Sequence, residues 1–500
     1  MMAGVHKRIY ALILMASIAG SSFYSLYAQN NTLYFMHSVP QAIHTNPALF
    51  YKCRTYIELP LISGVGFSYS NSGFGYHDAL HYGTGSRADS LIIDLDNLER
   101  RLKNRNYIRS DLVLNLLGAG YRIGDYYLHF NISNFTEVRI GIPGDLISMK
   151  DGNWDPSSGE PRDLDLSGLG ANAVNYFQIA AGASTELMDG LFVGGALKYL
   201  RGTANLASRR TDLTIITEGD PITLRAETDF RIRSAFPMEV SLDNQGLVDG
   251  LDFANSFSSI MSDFVFNGNH GAAIDAGVIY RYSDQITLSA SIIDLGFIRW
   301  KSNVNRFDAN AAVRFAGFDL RQYVSTQGPT DFFEAVVDSV LESFQFQSSM
   351  EPFTTFLTTK LYAGGQFQFF PKINASAVMR TELYDRRPHF ALTLAGSYSP
   401  LKFLNATLSY TLSNYKWDQI GFGLAVGGKG VQFYFVTDHI PVRYVRDSGA
   451  GLLWPYNARL LNFRFGINLT FGCDENEDGG KPGGFRRGGS RSRGLCPAYD

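Results

Sequence analysis

Charged side chains inside alternating apolar segments are the first candidates for chemistry in this chain. Glu58, Arg122, His129, Asp275, Arg281, Arg380, Glu382 and Arg464 each lie within such a segment, opposite its apolar side. A charge turned to lipid costs about 2–4 kcal/mol near a bilayer midplane. If these segments cross a membrane, the charges must face an enclosed polar interior. Two readings stand side by side: an ion-pair network that fills this interior, or a site where Arg122, Arg281, Arg380 or Arg464 holds a ligand carboxylate. Nothing in the sequence calls for an enzyme. There is no Gly-x-Ser-x-Gly elbow, no His-Glu-x-x-His and no phosphate-binding Gly-x-x-x-x-Gly-Lys-Ser/Thr, and the nine histidines are scattered. The chain is read as a non-enzyme that uses no cofactor.

The sulfur and metal chemistry is sparse. Cys53, Cys473 and Cys496 match no zinc spacing and are disulfide candidates. Asp474, Asn476, Asp478 and Gly479 fit the opening of a calcium loop. The closing position is Phe485, however, and no helical pattern flanks the loop, so the expectation is a solvated acidic turn rather than a metal site. Overall charge is close to balance, 44 Lys and Arg against 47 Asp and Glu, which leaves no field to attract nucleic acid.

The elements that must position these residues follow from a period of two. In Leu461 to Phe471, Leu461, Phe463, Phe465, Ile467, Leu469 and Phe471 point one way, and Asn462, Arg464, Gly466, Asn468 and Thr470 the other. Phe403 to Leu412 and Ile57 to Tyr69 repeat the pattern, and so do runs at 112–123, 126–137, 174–187, 191–202, 271–282, 286–296, 356–369, 372–383, 388–398, 417–427 and 431–437. A membrane-crossing strand needs ~9–11 tilted residues with one face to lipid and one to a lumen. Very short turns, such as Gly124-Asp125 and Pro371-Lys372, alternate with mostly longer connections, such as 71–111, 138–173 and 297–355. That asymmetry belongs to an outer-membrane barrel. The expected fold is all-β, a transmembrane antiparallel barrel of about 14 strands over residues 56–472, with helical loops. Residues 205–217 and 222–233 alternate too, and read either as a hairpin above the membrane or as two further barrel strands.

Around this barrel the sequence changes character. Lys7 and Arg8, the apolar run Ile9 to Gly20 and Ala28 read as a secretory signal over residues 1–28, which sends the chain to the bacterial outer membrane and its lipid. Residues 473–500 read as a flexible periplasmic tail rich in Gly and Arg, whose Arg486, Arg487, Arg491 and Arg493 are solvated or touch an acidic periplasmic partner. Three helical stripes fall in long connections: Leu91, Ile92, Leu95, Leu98 and Leu102; Phe253, Phe257, Ile260, Met261 and Phe264; and Phe333, Val336, Val337, Val340, Leu341 and Phe344. They are read as packing on the barrel rim, or as a lid with an apolar underside. Cysteine pairing stays open. In a closed barrel the first and last strands are neighbours, which would allow Cys53 with Cys473; Cys473 with Cys496, looping the tail, and no disulfide at all stand beside it.

The strand pattern, the strand count and Asn46-Pro47-Ala48-Leu49 ahead of the first strand resemble the FadL-like family of outer-membrane barrels. Asn269 to Tyr282 and Ser289 to Trp300 look like segments of uncharacterised barrels related to it, and the resemblance covers most of residues 40–472. It implies that residues 29–55 fold into the lumen as a plug carrying Asn46, Pro47 and Ala48. It also implies passive uptake of hydrophobic or amphipathic small molecules. The alternative is a non-transporting scaffold for secretion-system or surface-assembly partners, which the separate tail favours.

Overall fold

The computed structural model describes residues 31–473, apart from 76–77, 79, 83–90, 150–157, 219–222, 237, 244–247, 254–266, 316–345, 385–386, 414–415, 441–443, 447–452 and 456–458. The signal segment, the tail, Cys496 and the Asp474, Asn476 and Asp478 turn lie outside the described residues, as does the helical stripe at 333–344.

Polar residues point inward and apolar ones outward, the reverse of a soluble sandwich. In the final strand, Leu460–Phe471, Asn462, Arg464, Asn468 and Thr470 are buried while Phe465 and Phe471 are exposed. Leu408 and Leu197 stand 58% and 71% exposed in mid-strand, which water would penalise and hydrocarbon does not. Tyr126, Tyr280, Tyr282, Phe369, Phe370, Tyr398 and Phe403 are exposed beside the short turns, where an aromatic girdle meets the membrane interface.

Fourteen antiparallel strands close the ring. In order they are Thr55–Glu58 continued by Val65–Asn71, Arg105–Ile123, Tyr126–Pro143, Gly170–Met188, Leu191–Glu218, His270–Arg281 and Ile286–Trp300. Then come Phe353–Phe356 continued by Thr359–Phe370, Ile373–Tyr384, Arg387–Leu401, Leu404–Ser413, Lys416–Gly427, Gly430–Thr437 and Leu460–Phe471. The first strand pairs on one side with the last (Thr55 opposite Phe471, Val65 opposite Phe465) and on the other with the second (Thr55 opposite Tyr121, Val65 opposite Leu114). Closure leaves no strand edge to face lipid, where each unpaired backbone group costs several kcal/mol. Cys53 and Cys473 form a disulfide at this seam, with Cα atoms 4.1 Å apart. Cys473 is therefore not available to Cys496.

The structure departs from the sequence reading in three places. The first strand is not continuous over 57–69. Pro60 cannot donate to the ladder, Leu61 takes φ 60°, and the chain swings out between Leu59 and Gly64. Ser63 bridges the break: its hydroxyl accepts from Leu59 N–H at 2.5 Å and donates to the Ile467 carbonyl. Second, the helical stripe starting at Leu91 is shorter than expected. Only Leu95–Arg101 is helical, capped by Asp94 accepting from Asn97 N–H at 2.8 Å, while Leu91 and Ile92 belong to a strand paired with Leu80–Tyr82. Phe253 likewise ends the strand Val248–Phe253, and the rest of its stripe lies outside the described residues.

Third, several strands outrun the bilayer, because beyond the hydrocarbon nothing limits a ladder that still finds a partner. The fifth strand is 28 residues long. Its lower part pairs with the sixth strand, but Asn205 to Glu218 pairs with Thr223–Ala235, which in turn pairs with Val304–Phe315. The hairpin at 205–233 is thus an extension beyond the ring and adds no barrel strand. Its own core holds Leu164, Leu213, Ile215, Phe230, Val248, Phe307 and Phe346.

Candidate functional site: the plugged lumen

Residues 31–53 run inside the barrel, from Asn31 on the side of the long connections (the loop end) to Cys53 on the side of the short turns (the turn end). Two short helical pieces, Asn31–Tyr34 and Pro40–His44, turn this segment, and Pro40 starts the second with its φ already set. Leu33, Met36, Val39, Ala48 and Tyr51 are wholly buried. At its start the Asp438 carboxylate accepts from the backbone N–H of Asn31 (3.3 Å) and Thr32 (2.7 Å). In the middle the Gln41 amide donates to Asn468 Oδ1 (2.7 Å) and reaches Glu58 Oε1 and the Ser63 carbonyl (both 3.1 Å). Asn468 Nδ2 donates back at 3.0 Å. The plug therefore carries the break in the first strand on its own side chain. Tyr34 stacks on Tyr362 at 5.2 Å and its hydroxyl meets Ser289 at 2.7 Å.

Asn46, Pro47 and Ala48 form the tightest contact with the wall. Asn46 Oδ1 accepts from Ala48 N–H at 3.0 Å, an Asx turn, and its amide points at the carbonyls of Val278 and Ala290, both at 3.4 Å. Ser291 Oγ donates to the Thr45 carbonyl at 2.6 Å. A Cβ on Gly277 would stand 2.1 Å from Asn46 Oδ1, and one on Gly194 2.1 Å from the Pro47 carbonyl oxygen. Only glycine leaves room there.

The four candidate arginines do not converge. Arg122 lies at the turn end, 4.5 Å over the Phe50 ring, with Nη2 donating to the Tyr51 carbonyl at 3.4 Å. Arg281 stands 5.6 Å over Phe192, which belongs to the same aromatic group as Phe50 and Tyr127. Both arginines floor the plug. Arg464 lines a small cavity with Asp111, Asp438 and Asn462. Arg380 is ion-paired with Glu382 and lies 5.8 Å over the Tyr362 ring. No pair of these arginines forms a carboxylate clamp.

What the lumen does bring together are two groups of opposite charges. Lys198 Nζ meets Asp275 and Asp294, each at 2.6 Å, and Lys360 Nζ meets Asp294 at 2.7 Å. Nearer the loop end, Arg109 contacts Asp111, Glu137 and Glu382, and Arg139 contacts Glu137. Of these, Asp275 and Glu382 are among the inward charges named from the sequence, as is Arg380, the partner of Glu382. Arg109, Arg139 and Lys198 carry the same signal, a charge in register with an inward face. Asp438 carries none, because it acts through backbone partners more than 400 residues away in the chain.

An apolar patch also faces the lumen near the loop end. Tyr176, Leu200, Ala273, Ile298, Trp300 and Phe353 pack together, with Trp300 and Phe353 stacked at 6.2 Å. A Cβ on the lumen-facing Gly202 would meet the Trp300 ring at 2.5 Å.

Among solved structures the chain is similar to the Ralstonia pickettii toluene transporter TbuX, at 9% identity over 88% of this chain and 93% of that one, with a TM-score of 0.39. It is similar to a Pseudomonas aeruginosa FadL homologue, at 10% identity over 91% and 100%, with a TM-score of 0.37. The Pseudomonas putida toluene transporter TodX gives 10% identity over 91% and 95%, with a TM-score of 0.32. No curated protein matches the chain. One family model does, described as a family of unknown function, DUF5723, and it spans residues 47–438. That span runs from the Asn46-Pro47 turn to the Asp438 anchor, and on its strength the chain belongs to the DUF5723 family.

Proposed function

We propose that this chain is an outer-membrane barrel for passive uptake of hydrophobic or amphipathic small molecules, with residues 29–55 as the plug. The observation that carries this reading is the apolar cluster of Tyr176, Leu200, Ile298, Trp300 and Phe353 near the loop end of the lumen, packed with Ala235 and Val304 at the base of the extension. A water-filled pore has no use for such a cluster; its members are buried, so an apolar ligand gains about 25 cal/mol per Å² of surface it buries there when these side chains part to admit it. The plug below it withholds bulk water from the same path. Arg380 is held by Glu382 in the wall, so the reading needs no ligand carboxylate and extends to uncharged cargo.

The test is uptake into proteoliposomes of a monoaromatic hydrocarbon and of glucose, side by side. Saturable entry of the hydrocarbon with exclusion of glucose is expected, and Trp300→Ala should weaken hydrocarbon entry while the barrel remains folded. Equal entry of both solutes would overturn the proposal.

A further inference from the structure

The second strand and the ninth are seven places apart in a ring of fourteen, on opposite walls. Arg109 on one and Glu382 on the other nevertheless meet, Nη1 to Oε2, at 3.2 Å. The same guanidinium holds Asp111 through Nε at 2.9 Å and Glu137 through Nη2 at 3.1 Å. Arg139, on the third strand, holds Glu137 at 2.8 Å and lays its guanidinium 3.3 Å over the ring of Tyr384 on the ninth. Arg380 closes the set by pairing with Glu382. Arg109, Arg139, Arg380 and Glu382 are all buried, at 2–5% exposure. Three arginines thus face three carboxylates, and the set is neutral as a whole.

Register fixes its height. Arg109 is near the loop-end start of the second strand, and Glu382 and Tyr384 are at the loop-end finish of the ninth. The plug comes up to it: Tyr34 stacks on Tyr362, over which Arg380 lies, and Asp438, which anchors Asn31 and Thr32, shares a small cavity with Asp111. Long charged side chains reaching across an open, wet bore would be separately hydrated, and exposed pairs of that kind contribute little. Here they are desolvated and paired charge to charge. Arg109 turns all three nitrogens to carboxylates, while Arg139 Nη1 and Nη2 and Arg380 Nε and Nη1 are buried without a hydrogen-bond partner among the described residues. Removing one partner is therefore strongly felt.

We propose that Arg109, Asp111, Glu137 and Arg139 on one wall and Arg380, Glu382 and Tyr384 on the other form an ionic gate that closes the loop-end mouth independently of the plug. The gate depends only on barrel closure and stands whatever the cargo is. It makes the lumen a chamber with two doors in series, and removal of either leaves the other shut.

The test combines a plug deletion, residues 30–50, with gate substitutions in planar bilayers, using heat-modifiability on gels to confirm folding. Arg109→Gln with Glu382→Gln should leave conductance unchanged in the full chain, where the plug still closes the bore. In the plug-deleted barrel the same pair should raise conductance several-fold over the deletion alone. A plug-deleted barrel whose conductance the gate substitutions do not change overturns the proposal. A second measurement needs no gate variant. Thr393 is a buried lumen residue, its hydroxyl 2.8 Å from that of Thr411. In the plug-deleted barrel, a membrane-impermeant maleimide should label Thr393→Cys rapidly from the turn side and slowly from the loop side. Equal rates from the two sides would show an open mouth and reject the gate.

Discussion

Single glycines decide whether the plug seats. Gly277 and Gly194 lie where the chain must pass Asn46 and Pro47 within van der Waals distance of the wall backbone. Gly277→Leu should dislodge the plug while the barrel still closes, because the ladder pairs of the first strand begin at Thr55 and the Cys53 staple lies beyond the dislodged contact. The check is a cysteine at Ala42, which is 1% exposed and should resist maleimide in the parent. It should become reactive in the Gly277→Leu background but stay protected with Gly396→Leu, where a Cβ meets nothing within 4 Å. Protection in both backgrounds would show that Gly277 is not a seat for the plug. A second residue-scale expectation concerns the outer face. Leu408→Arg places a charge in hydrocarbon, at a cost of about 2–4 kcal/mol near the midplane, and should impair insertion in a heat-modifiability assay. Asn468→Ala should insert normally and loosen only the Gln41 contact. Equal tolerance of the two would contradict the assignment of faces. At this scale the sequence was informative where a residue's face sufficed, as for Arg380 and Glu382. It was silent on partners across the bore, because Arg109 and Glu382 are 273 residues apart and no local pattern joins them.

The strands were legible because alternation and length are local properties, and each turn of the form Gly124-Asp125 marks a boundary. Strand ends at the loop side were not, since the ladder from Asn205 to Glu218 continues for reasons of pairing that hydropathy does not record. The break at Leu59 to Gly64 was signalled by Pro60 alone, and the plug residue that supports it, Gln41, looked like any polar side chain. The seam between first and last strands is the element on which closure depends. Its disulfide joins residues 420 apart in sequence, and in the chain-entropy account a loop that long restrains the unfolded chain by about 6 kcal/mol. Cys53→Ser or reduction should therefore lower the temperature at which the barrel loses its compact gel mobility. Non-reducing peptide mapping of the parent should recover the Cys53 and Cys473 peptides joined. Recovery of Cys473 joined to Cys496 would contradict the seam staple.

On the scale of the whole molecule the two ends of the barrel differ in kind. One end carries turns of a few residues; the other carries the long connections, the extension built on the fifth strand and the mouth closed by Arg109 and Glu382. In an outer-membrane barrel short turns face the periplasm and long loops face outward, and an even number of strands sets Cys53 and Cys473 together at the turn end. Under the proposed outer-membrane placement, the same asymmetry predicts a plug with its Asn31 end toward the outside and its Cys53 end toward the periplasm. Orientation can be read directly with single cysteines in a Cys496→Ser background, where Cys53 and Cys473 are already bonded to each other. Met350 is 79% exposed at the loop end, between the strands Gln347–Ser349 and Phe353–Phe356. Asp284 is exposed in the turn between the sixth and seventh strands. A bulky impermeant maleimide added to intact cells should label Met350→Cys and spare Asp284→Cys, and permeabilising the outer membrane should make both reactive. The reverse order of labelling would invert the barrel and, with it, place the ionic mouth in the periplasm.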